Sequence, residues 1–463
     1  SFADLGNQSN EVKIRGVGTG TAQLSPTTAI YLGEVPVIHT GRGLNSSYNF
    51  RLVDIERVEV LRGPQGQLYG SNSLGGAIKN IPAKPQLDAF GLRGSVSGSQ
   101  MTEGDESYDA DLTLNAPLGE TIGTRLTAYY AKQGGWYDNV YAGGRALNTL
   151  LPVPPLFQGT VGGQPVGTPF GPPWAVLAPA VPILRFPLPS GPPGPPLRVV
   201  PGILARNPAA ATYVAPSNAE ENVNQTTVTG ARLMATLAPG GLFRADLMVA
   251  YEEKENDGTS WTTAVPRVPG PIAGTWVVPR TVPNSTPVPV LYPSDFREYE
   301  QVNPVDAGND DEILLANLLL EWNFDFATLT SSTSYWDRTE TLQTDLGVLA
   351  FPTTGVSGTF PVVVNRDDMP KSYIQEFRLT SNDDGRLSWL AGLFWQRIPQ
   401  DYRVEVTDLS GLDILRTDRT VRAAINNTPP PPAGPVGLQI GTFEDTQYAV
   451  FGEIAYDVTP KFN

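Results

Sequence analysis

The sequence predicts a mainly β protein, with a small turn-rich domain followed by a wall of long antiparallel strands. Three observations carry that prediction. Glycines and prolines punctuate short apolar runs through the first 85 residues, most densely from Asp54 to Pro85 (DIERVEVLRGPQGQLYGSNSLGGAIKNIPAKP). Beyond residue 85, apolar and polar residues alternate with period two over stretches of about ten residues, longer than the usual strand of five or six. The connections between those stretches are alternately short and very long.

In the opening domain, Glu11 to Lys84 reads as short strands joined by glycine turns. Val12 to Gly16 is one strand, and Ala29 to Val37 carries two more, folded across Gly33. Ile38 to Phe50 is a polar loop holding His39, the only histidine. Ile55 to Leu61 is a further strand. It runs into the turn Arg62 to Gly66, where Pro64 fixes one φ and the glycines accept positive φ. Tyr69-Gly70 and Gly75-Gly76 bend the chain again before Ala77-Ile78.

The wall begins after Pro85. From Tyr108 to Asn115 the even positions are apolar or aromatic and the odd ones polar, which gives a strand one oily and one wet face. Phe90 to Ser97, Arg125 to Tyr130, Ala231 to Leu237 and Phe243 to Tyr251 follow the same rule. Leu314, Ala316, Leu318, Leu320 and Trp322 make another oily face. Tyr373 to Leu379, Leu387 to Trp395 and Tyr448 to Val458 complete about ten strands of this kind. Tyr130, Trp136, Trp322, Trp389, Trp395 and Tyr456 sit near strand ends, as aromatic girdles at a bilayer interface require. A soluble sandwich also alternates, but short turns on one side and long loops on the other describe a transmembrane barrel.

Four connections are long: 142–219, 257–310, 345–369 and 408–445. The first is rich in Pro and Gly and is expected to be extended or irregular. Between Leu151 and Ser217 its only charged residues are Arg185, Arg198 and Arg206. That pattern fits a semi-rigid packing loop or an anion-tolerant lid.

Composition narrows the function. The chain has 463 residues, formal net charge −15 and no cysteine. Disulfide frameworks and thiolate metal sites are therefore excluded, and the acidic balance argues against nucleic acid as a partner. No apolar run reaches the roughly 18 residues of a transmembrane helix. His39 has no metal-spaced partner, and no nucleophile elbow or phosphate loop is present, so no catalytic residue, metal site or cofactor is expected.

The motif VEVLRGPQG, followed by LYG and GGAI, resembles the plug-domain signature of TonB-dependent outer-membrane receptors. Ile14-Arg15-Gly16 and the run from Ala29 to Val37 match the same plug, while Tyr373 to Leu379 with Leu387 to Gly392, and Tyr448 to Glu453, resemble barrel strands of that family. The resemblance implies a partial plug over residues 1–85 and the first part of a barrel over 86–463, about ten strands where plugged barrels have about 22. It is thus the pattern of an internal segment with long Pro-rich extracellular loops, the signal peptide and TonB box lying upstream.

The same resemblance implies the site. Plug arginines of the IRG and LRGP motifs face barrel glutamates, which here gives Arg15 and Arg62 against Glu376 and Glu453; alternation turns both glutamates toward the lumen. The alternative is that both arginines cap plug turns. Solute contact is implied for the plug loop tips His39, Arg42, Tyr48, Gln67 and Tyr69, with Arg185, Arg198 and Arg206 as loop candidates. Function is expected to be energised uptake of a scarce bulky solute, most often a ferric siderophore, by a monomeric barrel in the outer membrane of a Gram-negative bacterium, with TonB, membrane lipid and the solute as partners. Import of a carbohydrate or other nutrient is the runner-up, and a non-transporting surface barrel or adhesin is the reading from another class.

Overall fold

The computed structural model describes residues 2–4, 10–12, 14, 27–37, 48–63, 73–140, 219–258, 299–301, 305–345, 362–382, 386–408 and 437–456, together with short strands of two to five residues between 151 and 290. Every element among them is a strand, and no helix is long and apolar enough to cross a membrane.

The plug is a four-stranded mixed sheet built from β1 (Thr28–Leu32), β2 (Val35–Pro36), β3 (Ile55–Arg62) and β4 (Gly76–Pro82). Its order is β2-β1-β4-β3, with β1 parallel to β4 and the other pairs antiparallel. Two glycines make this possible. Gly33 takes φ 59° in the tight turn from β1 to β2, a region that costs side-chain-bearing residues. Gly76 takes φ 146°, and a Cβ there would lie 2.2 Å from the Leu61 carbonyl oxygen. Of the expected strand 12–16, Val12 lies in Asn10–Val12, which pairs with Phe2–Asp4, and Ile14 makes a buried bridge; 13, 15 and 16 lie outside the described residues.

The wall is one antiparallel sheet of ten strands in sequence order: β5 (Gly91–Gln100), β6 (Glu106–Pro117), β7 (Ile122–Gln133), β8 (Thr226–Gly240), β9 (Phe243–Asn256), β10 (Gly308–Asn323), β11 (Ala327–Asp345), β12 (Val362–Ser381), β13 (Leu387–Asp408) and β14 (Gly437–Tyr456). Tight turns lie at 118–121, 241–242 and 324–326, only five residues separate β12 from β13 at the same end, and the four long connections all leave the opposite end. The sheet is open, with β5 and β14 at its edges.

Its two faces reverse the soluble rule. Tyr108, Leu112, Leu233, Leu314 and Leu318 are exposed, while Asn115, Arg232, Asp246, Glu252, Asp311 and Asn317 are buried. Such a face suits hydrocarbon outside and a polar interior within. Rings mark both ends of the band. Phe243 meets Trp322 at 5.5 Å by the tight turns, and Tyr335 meets Tyr373 at 5.2 Å toward the long connections. On β10 the six-residue step from Ala316, opposite Tyr335, to Trp322 spans about 20 Å.

Strands β12, β13 and β14 run further than the alternation suggested. Residues 362–371 and 396–408 lie beyond the upper aromatic row, where one face stays buried at Val364, Asp368, Ile398 and Gln400. Exposed pairs such as Lys371–Asp337 and Arg397–Glu444 replace the oily face there. The backbone ladder continues although the period-two signal stops.

The plug docks on the polar face through a shared apolar core. Leu32, Val35, Val37, Tyr48 and Phe50 from the plug pack with Met234, Met248, Ile313, Leu315, Trp336 and Ile374 from the wall.

Candidate functional site

The site is the seam between plug and wall. Residues 48–54 cross it as an extended strap outside any sheet, and several of its backbone groups are met by wall side chains. The Asn49 carbonyl accepts from Lys254, and the Arg51 amide donates to Glu252 at 2.8 Å. Arg232 donates to the carbonyls of both Val53 and Asp54, at 2.8 and 2.9 Å. At the strap's start, the Tyr48 hydroxyl donates to Glu252 at 3.0 Å. The Tyr48 ring lies beneath Lys254 at 4.2 Å and near Arg338 at 5.4 Å, a cation–π arrangement out of water.

Glu252 is fully buried and is satisfied from several directions. Tyr129 donates to one carboxylate oxygen and Lys254 lies 3.0 Å from the other. A buried carboxylate needs that much compensation. Burial and the Glu252 carboxylate push the Tyr48 hydroxyl above its ordinary range, so it stays a protonated donor.

Asp54 closes the strap. Its backbone is left-handed at φ 53°, a conformation Asp tolerates better than most residues. Its carboxylate takes two bonds from Arg125, at 2.5 and 2.7 Å, and one from Thr127 at 3.0 Å, with Arg232 3.8 Å away. Burial opposes its charge, but the Arg125 bonds and charge, Thr127 and Arg232 outweigh that and hold the carboxyl below its usual range.

A second contact lies at the other side of the plug sheet. Glu34 pairs with Lys79 inside the plug at 2.9 Å and with Arg378 of the wall at 2.8 Å. Arg378 also pairs with Glu376 at 2.7 Å. Burial works against the Glu34 charge, and Lys79 and Arg378 more than offset it, keeping the carboxyl low. Beside it the Trp336 indole donates to the Pro36 carbonyl at 3.1 Å. Lys84, just after β4, reaches Asp246 at 3.3 Å.

The structure brings together only part of the expected lock. Glu376 faces inward and belongs to the plug contact, but its partner is Arg378, which in turn holds plug Glu34. Arg62 is exposed at the end of β3 and has no ion pair with a described residue. Glu453 shares its face of edge strand β14 with Phe451 and is exposed, with no ion pair to a described residue. At both Glu34 and Asp54 the polarity runs opposite to expectation, with a plug acid on a wall arginine. Tyr48 is buried at 2 % exposure and holds the strap, so it is no loop tip. Arg15, His39, Arg42, Gln67, Tyr69 and Arg185 lie outside the described residues. Of Arg198 and Arg206 only their places in the short strands Arg198–Val199 and Leu204–Arg206 are described. Sequence reasoning missed Asp54, Arg125, Arg232 and Glu252. Arg232 and Glu252 do fall on the polar phase of alternating strands, and that was the available signal.

Among the described residues no group of acidic or histidine side chains is arranged to hold a metal ion.

A family model described as the TonB-dependent Receptor Plug Domain matches residues 2–77, the part of the chain that leads into the wall. The pesticin receptor of Yersinia pestis is 31% identical over 112 residues, covering 24% of this chain and 15% of that protein. The metal-pseudopaline receptor CntO of Pseudomonas aeruginosa is 39% identical over 66 residues, covering 14% and 9% respectively. In fold, the chain is similar to the ferric yersiniabactin uptake receptor FyuA of Yersinia pestis, with TM-score 0.59 and 13% identity over 98% of this chain. It spans about half of that receptor, 49% of its length.

Proposed function

We propose that this protein takes up a scarce, bulky solute across the outer membrane of a Gram-negative bacterium, with its plug moved by TonB. One observation carries the reading. A small plug sheet sits on the polar face of a membrane-type wall and is held there by ion pairs and hydrogen bonds rather than by covalent continuity alone. A wall that merely displays loops has no use for such a stopper, which argues against an adhesin. The division near residue 85 separates the moving part from the fixed one. No catalytic chemistry is needed for this work.

The solute we favour is a metal chelate of the siderophore class. The names of the similar proteins support that choice, since one is a ferric yersiniabactin uptake receptor and another a metal-pseudopaline receptor. Contact with the solute is assigned to His39, Arg42, Gln67 and Tyr69 of the plug, with Arg185, Arg198 and Arg206 from the long connection. Guanidinium, imidazole and phenol suit an anionic, aromatic-bearing chelate through charge-assisted bonds and stacking. Arg15 remains assigned as a plug arginine that meets an inward wall glutamate, whereas Arg62 is exposed and pairs with no described residue.

The test is a deletion strain grown on single ferric chelates and single glycans, with uptake of labelled solute. Loss of energised uptake of one ferric chelate is the expected result. Loss confined to a glycan would transfer the assignment to carbohydrate import, and unchanged uptake throughout would remove the transport reading.

A further inference from the structure

The plug–wall contacts differ in what each leaves behind when it opens. At Glu34 both sides keep a partner. Lys79 stays with Glu34 inside the plug, and Glu376 stays with Arg378 on the wall. At Tyr48 the wall carboxylate Glu252 keeps Tyr129 and Lys254. Arg338, near the Tyr48 ring, keeps Asp311 through two 2.7 Å bonds and Glu340 at 3.4 Å. At Lys84 the wall residue Asp246 keeps Arg244 and Thr236. None of these openings strands a buried charge.

Asp54 is the exception. Its carboxylate has no partner in the plug, since Arg125, Thr127 and Arg232 all belong to the wall. Arg232, with its side chain 5 % exposed, donates only to Val53, Asp54 and nothing of the wall among the described residues. Arg125 would fall back on a single 3.5 Å contact with Asn115. Removing one member of a buried ion pair is the costly way to open an interface, because it leaves an uncompensated charge. The chain re-enters the plug sheet beside the same point, where the Ala83 amide donates to the Asp54 carbonyl at 3.1 Å.

We propose that the plug swings on a hinge at Asp54, releasing Glu34, Pro36 and Tyr48 from the wall while Asp54 stays clamped by Arg125 and Arg232. The exit route for the solute then opens along β10 to β12, beside Trp336 and Arg378, and not along β6 to β8. This refines the transport reading and depends on it for its use. The hinge itself can be measured with no solute present.

The chain has no cysteine, so single reporters can be introduced without background. Val35→Cys reports on the Glu34 side, where Val35 is fully buried, and Val53→Cys on the Asp54 side, where Val53 is half-buried, so each rate is read relative to its own value without urea. Each protein, in lipid nanodiscs, is treated with a water-soluble maleimide at rising urea. Labelling at Val35→Cys should increase by roughly tenfold or more while Val53→Cys keeps its native rate, because local openings follow the weaker contacts. Adding Asp54→Asn should bring Val53→Cys into step with Val35→Cys, and adding Glu34→Gln should accelerate Val35→Cys alone. Should Asp54→Asn not fold, the two reporters in the otherwise unaltered chain still decide the matter. A larger urea-dependent increase at Val53→Cys than at Val35→Cys, or an equal one at both, overturns the hinge. A chain that passes this test but imports nothing would keep the hinge and lose the transport reading.

Discussion

The plug sheet and the wall are both β structure, yet they obey opposite solvation rules. In the plug, Ala29, Ile30, Leu32, Val35 and Ala77 are buried, as in any water-soluble domain. In the wall, leucines face outward and carboxylates, arginines and amides are buried. The difference teaches that hydrophobic burial here is defined by two solvents. Hydrocarbon accepts the wall's oily face, and the plug supplies the hydrogen-bonding surface that its polar face needs. The plug therefore completes the wall's interior as well as blocking it.

That contrast can be broken most forcefully within the polar face. Arg338→Ala should leave the buried Asp311 and Glu340 without their cation and destabilise the protein by about 3–5 kcal/mol in urea unfolding from bilayers. A loss under 1 kcal/mol would mean that this interior is wet and screened. Next in size is the outer face. Leu318→Arg should cost about 2–4 kcal/mol for folding into lipid, whereas an exposed leucine on a soluble sheet would tolerate the change almost freely.

Acid sharpens the seam between the two regions, with a smaller effect. The folded carboxyls of Asp54 and Glu34 both lie below their ordinary values, so their stabilisation is complete above about pH 4 and is lost as pH falls through the folded values. The protection factors of residues 48–54, with the intrinsic pH dependence of amide exchange divided out, should thus be flat from neutral pH to about 4 and fall below it, and Asp54→Asn should make that dependence shallower. An unaltered slope in the variant would remove Asp54 from the account. The smallest change belongs above the membrane band. Lys371→Ala breaks an exposed pair with Asp337 and should shift stability by about 0–1 kcal/mol.

Much of this was legible in the sequence. The turn glycines placed β1 to β4 closely, and alternation found nine of the ten wall strands with their oily and wet phases; β11 was missed, its Thr- and Ser-rich run giving little contrast between faces. Strand ends were not legible, because in the extensions of β12 to β14 charged pairs such as Lys371–Asp337 and Arg397–Glu444 interrupt the oily face and weaken the period-two signal. The partners of the seam were not legible either. Motif reasoning sent Arg62 toward Glu376, but Glu376 has Arg378 as its neighbour two residues on, and that arginine is taken by plug Glu34. Tyr48 looked like an exposed loop residue; only its placement under Lys254 and Arg338 shows it as an anchor.

By itself, then, the sequence determined the kinds of surface: which residues bend the chain, which phase of each strand meets grease, and that a plug precedes a wall. Those are local properties, set by backbone sterics and a two-residue repeat. Tertiary structure decided which charge meets which, since a pair such as Asp54 and Arg232 is 178 residues apart and exists only once the register of four strands and the path of one strap have fixed both ends.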